Sequence, residues 1–152
     1  MKIETKIKEL GLSLPEVPKP VGEYIPAKKV GNLVFSAGHG PIKEGKFAYV
    51  GKVGREVSLE EGYEAAKICA INCLAAIKSV IGSLDNIDEI IKLKGFVNSA
   101  SDFYRQPEVM NGASELIVKI FGEKGKHARS ALVTSVLPFN IPVEVEMIVK
   151  IR

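Results

Sequence analysis

Two groups near the C-terminus have the chemistry to hold and process a small anion. Arg129 lies in the run Lys126-His127-Ala128-Arg129-Ser130-Ala131-Leu132-Val133, where an apolar, strand-like stretch begins. A guanidinium can grip a carboxylate through two parallel hydrogen bonds, which fixes orientation as well as position. An arginine at a strand end is also commonly a solvated surface group or half of a structural ion pair, so position alone leaves all three readings open. Glu144 and Glu146 alternate with Val143, Val145 and Met147 and so project from the face opposite the core. Exposed to solvent they have no special role; in a partly closed cleft, one of them can orient or deprotonate a water.

Other chemistries lack their residues. His39 and His127 are the only histidines, and no third ligand stands at a metal-binding spacing. The sequence has no phosphate-binding Gly-x-x-x-x-Gly-Lys-Ser/Thr loop, no Gly-x-Gly-x-x-Gly fingerprint after a strand and no Gly-x-Ser-x-Gly nucleophile elbow. His39 sits in a glycine-rich turn and reads as a loop residue. Cys69 and Cys73 lie one helical turn apart, not at Cys-x-x-Cys spacing, and read as small hydrophobes of a core. No disulfide framework is available to a chain with two cysteines so placed.

The elements that would position these groups can be read from periodicity. Ile3, Ile7 and Leu10 are spaced for a short helix ending at Gly11, and the proline-rich stretch 15–20 follows as an extended connector. Tyr24 to Val30 and Leu33 to Ala37 flank Gly31-Asn32, a hairpin signal. The second of these strands is apolar on successive residues, which predicts burial on both faces. Residues 42–54 read as an exposed loop or weak hairpin.

Ser58 and Glu61 form a capping-box pair, and Leu59, Gly62, Ala66, Cys69, Cys73, Ile77 and Val80 recur at helical spacing until Gly82. From Ile87 to Ser99 the period is two, with Ile91, Leu93, Gly95 and Val97 facing one way and Lys92, Lys94 and Asn98 the other. Pro107 can open a second helix that runs to Gly122. Two strands, Ala128–Leu137 and Val143–Ile151, then flank a turn holding Pro138, Asn140 and Pro142.

The order ββαβαββ predicts an α/β (α+β) domain, with one mixed sheet carrying both long helices on one face. The other face, which includes apolar residues, is left uncovered and predicts self-association. If the last two strands form a hairpin, Arg129 and Glu144 lie on the order of 20 Å apart at ~3.3 Å per residue. They could then share a ligand only across a subunit boundary.

The 152 residues suit a single domain over 1–152. Hydrophobic residues make up 46% and charged residues 26%, ordinary for a globular chain. The net charge of +3 comes from interspersed residues, so no basic face recommends nucleic acid as a partner. No stretch approaches the ~20 apolar residues that span a bilayer, and no signal-peptide pattern opens the chain, so no membrane partner and a cytoplasmic location are expected.

Several segments, in order from about Pro18 onward, resemble the Rid family of reactive-intermediate deaminases (YjgF-like, endoribonuclease L-PSP-like). Gly22-Glu23-Tyr24 resembles its Gly-Pro-Tyr, and Leu33-Val34-Phe35-Ser36-Ala37-Gly38-His39-Gly40-Pro41 its apolar strand ending in Ser-Gly-Gln-x-Pro. Phe96-Val97-Asn98 with Asp102-Phe103 resembles the strand and turn before its second helix. Ala128-Arg129-Ser130, Leu137-Pro138 and Val143-Glu144-Val145-Glu146 resemble its C-terminal signature.

The resemblance implies a chorismate-mutase-like fold and a homotrimer closing a barrel, with clefts between subunits. It implies hydrolytic deamination of 2-imino or enamine acids to 2-keto acids and ammonia, with no metal or organic cofactor. Under it, Arg129 binds the substrate carboxylate and Glu144 positions the water. Gly38 and Ala131 contact substrate through the main chain, and Tyr24 and Asn111 line the cleft. Ala37, Glu23 and His39 depart from the family's usual serine, proline and glutamine, and Ala131 stands where some members have cysteine. With the longer N-terminal region, these mark a divergent subgroup. An endoribonuclease, or a trimer that binds small carboxylates without turnover, is the alternative.

Overall fold

In the computed structural model, which describes residues 2–17 and 22–152, the longest element is the helix that Ser58 caps. Ser58 Oγ accepts from the Glu61 amide, and the Glu61 carboxylate accepts from the Ser58 amide. This reciprocal pair starts α2, Leu59–Ile81. Gly82, at φ 85°, ends it in a conformation that side chains disfavour.

The other elements follow in chain order. Before α2 come α1 (Lys2–Glu9), β1 (Ala27–Val30), β2 (Leu33–Ser36), β3 (Ile42–Lys43) and β4 (Lys46–Phe47). After it come β5 (Ile87–Asn98), α3 (Gln106–Phe121), β6 (Ala128–Thr134) and β7 (Val143–Ile151). Part of the expected connector, residues 18–20, lies outside the described residues.

The main sheet has the order β1-β2-β7-β5-β6, and β3 and β4 make a separate small hairpin. β5 and β6 are parallel and every other pair is antiparallel, so the sheet is mixed. The β5-α3-β6 unit is the strand–helix–strand crossover that a parallel pair requires. Val143, Val145, Met147, Val149 and Ile151 of β7 are buried, as are Cys69 and Cys73 of α2. Both thiols donate to β7 carbonyls, Cys69 to Val143 and Cys73 to Val145. Burial pushes Cys69 well up and Cys73 to about 12, so both remain protonated core groups.

Four sequence expectations need correction. β6 and β7 do not form a hairpin, because β5 lies between them and pairs with both. The period of β5 breaks at two register shifts, which put Ile90 rather than Ile91 in the core. Asn98 does not face solvent; it is fully buried, and its amide donates to Asn140 Oδ1 and the Ile141 carbonyl. β2 is buried on one face only, since Val34 is covered and Phe35 is 40% exposed.

Two glycines set how closely the layers approach. A Cβ at Gly112 would lie 2.0 Å from the Tyr63 carbonyl oxygen of α2. One at Gly95 of β5 would lie 2.2 Å from the Met110 sulfur of α3. Hydrogen there lets α3 sit close to both α2 and the sheet.

Candidate functional site

Arg129 pairs in register with Leu93, which pairs in turn with Met147, so all three lie on the helix side of the sheet. Its strand, β6, is the last in the order. Above it, Asn111 and Ser114 stand three residues apart on one face of α3. Arg129 Nη1 donates to Asn111 Oδ1 at 2.8 Å and to Ser114 Oγ at 3.3 Å. Among the described residues no carboxylate lies within ion-pair distance of this guanidinium, so the cation is anchored by neutral oxygens. Such a group keeps its full charge for an incoming anion. Ser114 was not singled out from the sequence; its i, i+3 spacing from Asn111 is the signal that would have found it.

Glu144 lies on the other face. It pairs with Phe96, which pairs with Leu132, and its β7 neighbours Val143 and Val145 point to the helices. Burial, followed by the neighbouring charge of Glu146, raises its pKa above the ordinary carboxylate value. A carboxyl so shifted holds its proton more tightly than an exposed one.

Gly38 lies against this carboxyl: a Cβ there would come 2.6 Å from Glu144 Oε2. The obstructing atom is the end of a flexible side chain. Gly38→Ala is therefore expected to leave the melting temperature nearly unchanged while displacing the Glu144 carboxyl. A thermal melt and a crystal structure of the variant check both halves, and an unmoved carboxyl would contradict the expectation.

Ala131 of β6 pairs with Gly95 and lies two residues beyond Arg129 on the same edge strand. Tyr24 is exposed, just ahead of β1. The turn reading of His39 is corrected by its surroundings. Its backbone pairs with Val145 in both directions, its side chain is buried, and its Nε2 donates to the Pro26 carbonyl at 3.4 Å. Burial depresses its pKa, partly offset by that hydrogen bond. His39 thus joins the segment after β2 to β7 and holds Gly38 beside Glu144.

Within one chain Arg129 and Glu144 do not converge. The register separates them by three residues along the sheet and two strands across it, roughly 14 Å at ordinary strand spacings, and the pleat puts them on opposite faces. The structure brings Asn111 to Arg129 and Gly38 to Glu144, which gives two separate clusters.

A family model described as "YjgF/chorismate_mutase-like, putative endoribonuclease" matches residues 4–151. The chain belongs to the YjgF family. This YjgF-family chain is 33% identical to the protein TCP17 of Trypanosoma cruzi over 152 residues, covering 99% of the chain and 95% of that protein. Among solved structures, it is 43% identical to Atu1372 of Agrobacterium tumefaciens, a protein described as of unknown function, with a TM-score of 0.93 over 99% of this chain and 94% of that one. It is 32% identical to a Shewanella oneidensis protein titled a putative endoribonuclease, with a TM-score of 0.96 over 99% and 100%.

The mixed sheet with its helices is thus the YjgF fold. In this YjgF-family chain no helix among the described residues is long and apolar enough to cross a membrane. No group of three or more His, Cys, Asp or Glu among them could hold a metal ion.

Proposed function

We propose that the protein hydrolyses small 2-imino or enamine carboxylic acids to 2-keto acids and ammonia, in clefts formed between three copies of the chain. The observation that carries this reading is the Arg129 guanidinium, fixed by Asn111 and Ser114 and left without an acidic partner among the described residues. It is a receptor for one carboxylate. Glu144, on the other face of the sheet, comes to that ligand only from a neighbouring copy. The exposed apolar side chains Phe35 and Leu132 lie on the same face as Glu144 and give that copy a surface to bury.

In this arrangement Arg129 holds the substrate carboxylate, with the imine carbon facing Glu144. Glu144 takes a proton from water as the water oxygen bonds to that carbon. That proton passes to the nitrogen, giving a carbinolamine; the carbinolamine's hydroxyl proton then moves by way of Glu144 to the nitrogen as the C–N bond breaks, so ammonia leaves and the C=O bond forms. The imine is already electrophilic, so placing the reactants supplies most of what the reaction needs. Gly38 and the Ala131 backbone edge border the substrate, and Tyr24 closes the mouth of the cleft.

The test generates imino acids in situ with an amino-acid oxidase and follows keto acid release above the spontaneous rate. Arg129→Ala is expected to lower kcat/KM about 100-fold, mostly through KM. Light scattering is expected to give a trimer. A parental rate in Arg129→Ala, or a monomer at assay concentration, overturns the reading. RNA cleavage by the same purified protein, without imine hydrolysis, would put the endoribonuclease reading in its place.

A further inference from the structure

Arg129 is the end of a chain of hydrogen bonds, and with the His127 ring neutral one carbonyl fixes the direction of every link. His127 Nδ1 lies 2.6 Å from the Gly125 carbonyl oxygen. A carbonyl only accepts, so Nδ1 carries the hydrogen. In the neutral ring the other nitrogen, Nε2, is then an acceptor. Ser114 Oγ lies 2.9 Å from it and must donate its single hydrogen there. The Ser114 lone pairs are left to accept, and Arg129 Nη1 donates to them at 3.3 Å.

The second hydrogen of Nη1 goes to Asn111 Oδ1 at 2.8 Å. Both Nη1 hydrogens are thereby used inside the chain. Among the described residues nothing takes the edge formed by Nε and Nη2, which keeps two parallel N–H groups, the geometry that matches the two oxygens of a carboxylate.

We infer that His127 and Ser114 are positioning residues for Arg129, a relay from the Gly125 carbonyl that commits Nη1 and presents the Nε–Nη2 edge to the substrate carboxylate. The inference rests on the carboxylate-binding reading of Arg129. It adds to that reading two residues that touch no substrate. With the Ser114 hydroxyl removed, Nη1 loses one of its two anchors and the guanidinium can rotate about its long side chain. With His127 replaced by an apolar ring, the Ser114 hydrogen has no acceptor there and turns elsewhere, so the oxygen no longer faces Nη1 in a fixed sense. Either change loosens the fork without altering its charge.

The test measures, by calorimetry on the full-length protein, binding of 2-oxobutanoate and of its uncharged amide. Ser114→Ala and His127→Phe are expected to weaken 2-oxobutanoate about tenfold, the loss expected for one hydrogen bond to a charged group. The amide should bind as it does to the parent. Ser114→Thr, which keeps the hydroxyl, should restore the acid's affinity. In 15N NMR, His127 should show a protonated Nδ1 and an unprotonated, hydrogen-bonded Nε2, with the Nε2 signal shifting in Ser114→Ala.

The outcomes separate the two claims. Undiminished 2-oxobutanoate binding by Arg129→Ala, or none by the parent, overturns the carboxylate reading. If Arg129→Ala loses binding while Ser114→Ala and His127→Phe keep parental affinity, the relay alone fails. An Nε2-protonated His127 also overturns the relay, as does weakened binding in Ser114→Thr equal to that in Ser114→Ala.

Discussion

Glu144→Gln is expected to lower kcat/KM for imino acid hydrolysis about 1000-fold while leaving the chain at least as stable as the parent. The amide keeps the size and one acceptor oxygen of the carboxyl but takes no proton from water. The loss should therefore fall on kcat, with KM little changed, because in the proposed arrangement Arg129 and not Glu144 holds the substrate.

The stability effect has a definite sign. Burial and Glu146 raise the Glu144 pKa, so the folded chain holds this proton more tightly than the unfolded chain does. Stability then declines as pH rises from the ordinary carboxylate value through the raised one. Gln does not titrate, so the melting temperature of the variant should gain on the parent's across that window and hold the advantage above it. Melts of both proteins from acid to alkaline pH check the trend. A variant that gains nothing with rising pH would show that the carboxyl is not strained by its surroundings, and undiminished turnover would remove Glu144 from the chemistry.

Gly112→Ala is expected to be the most damaging single-methyl change to stability. The added carbon would meet the Tyr63 carbonyl oxygen at 2.0 Å, with the carbonyl carbon at 2.8 Å. The obstacle is helix backbone, so no rotamer change relieves it and α3 must move away from α2. Overpacking of this kind costs about 3 kcal/mol, which lowers the melting temperature of a domain this size by on the order of 10 °C. Asn111 is the adjacent residue and Ser114 lies on the same helix, so the displacement also shifts both relative to Arg129. Calorimetric melting tests the stability half, and a change under roughly 2 °C would mean that α3 is less constrained than the contact implies.

Those elements were legible whose signals are local. The Ser58–Glu61 pair announces α2 because both partners of the capping box lie within one turn. The alternation of β7 predicts its burial pattern because one face packs on the helices along its whole length. The strand order was harder to read. Pro138, Asn140 and Pro142 look like a hairpin turn, yet the chain uses them to step over β5. The signal that would have shown this is the β5-α3-β6 sequence, a strand, helix and strand that pair in parallel. The slips in the β5 period were not legible, because a register shift is defined by the partner strand.

The candidate site divides along the same line. Arg129 and Glu144 were found by motif, and their separation was anticipated from a hairpin that does not exist. They prove to be apart for a different reason, since they occupy opposite faces. Asn111 was placed in the cleft through the resemblance, and its contact with Arg129 is seen only in the structure. The Asn111–Ser114 spacing marks a shared helix face, but that Ser114 and His127 bear on Arg129 depends on which atoms face each other, and spacing alone does not record that.

The two clusters are built from different stretches of the chain. The guanidinium and its supports come from one uninterrupted stretch, Asn111 to Arg129, folded back on itself by a single crossover. Glu144 meets Gly38 only when β2, near the start of the chain, docks on β7 at its end, as in the Val34–Val149 pair. Closing so long a loop is entropically the more demanding step. The Arg129 cluster is thus a local product of the polypeptide, while the Glu144 cluster is completed only when the two ends of the chain have met.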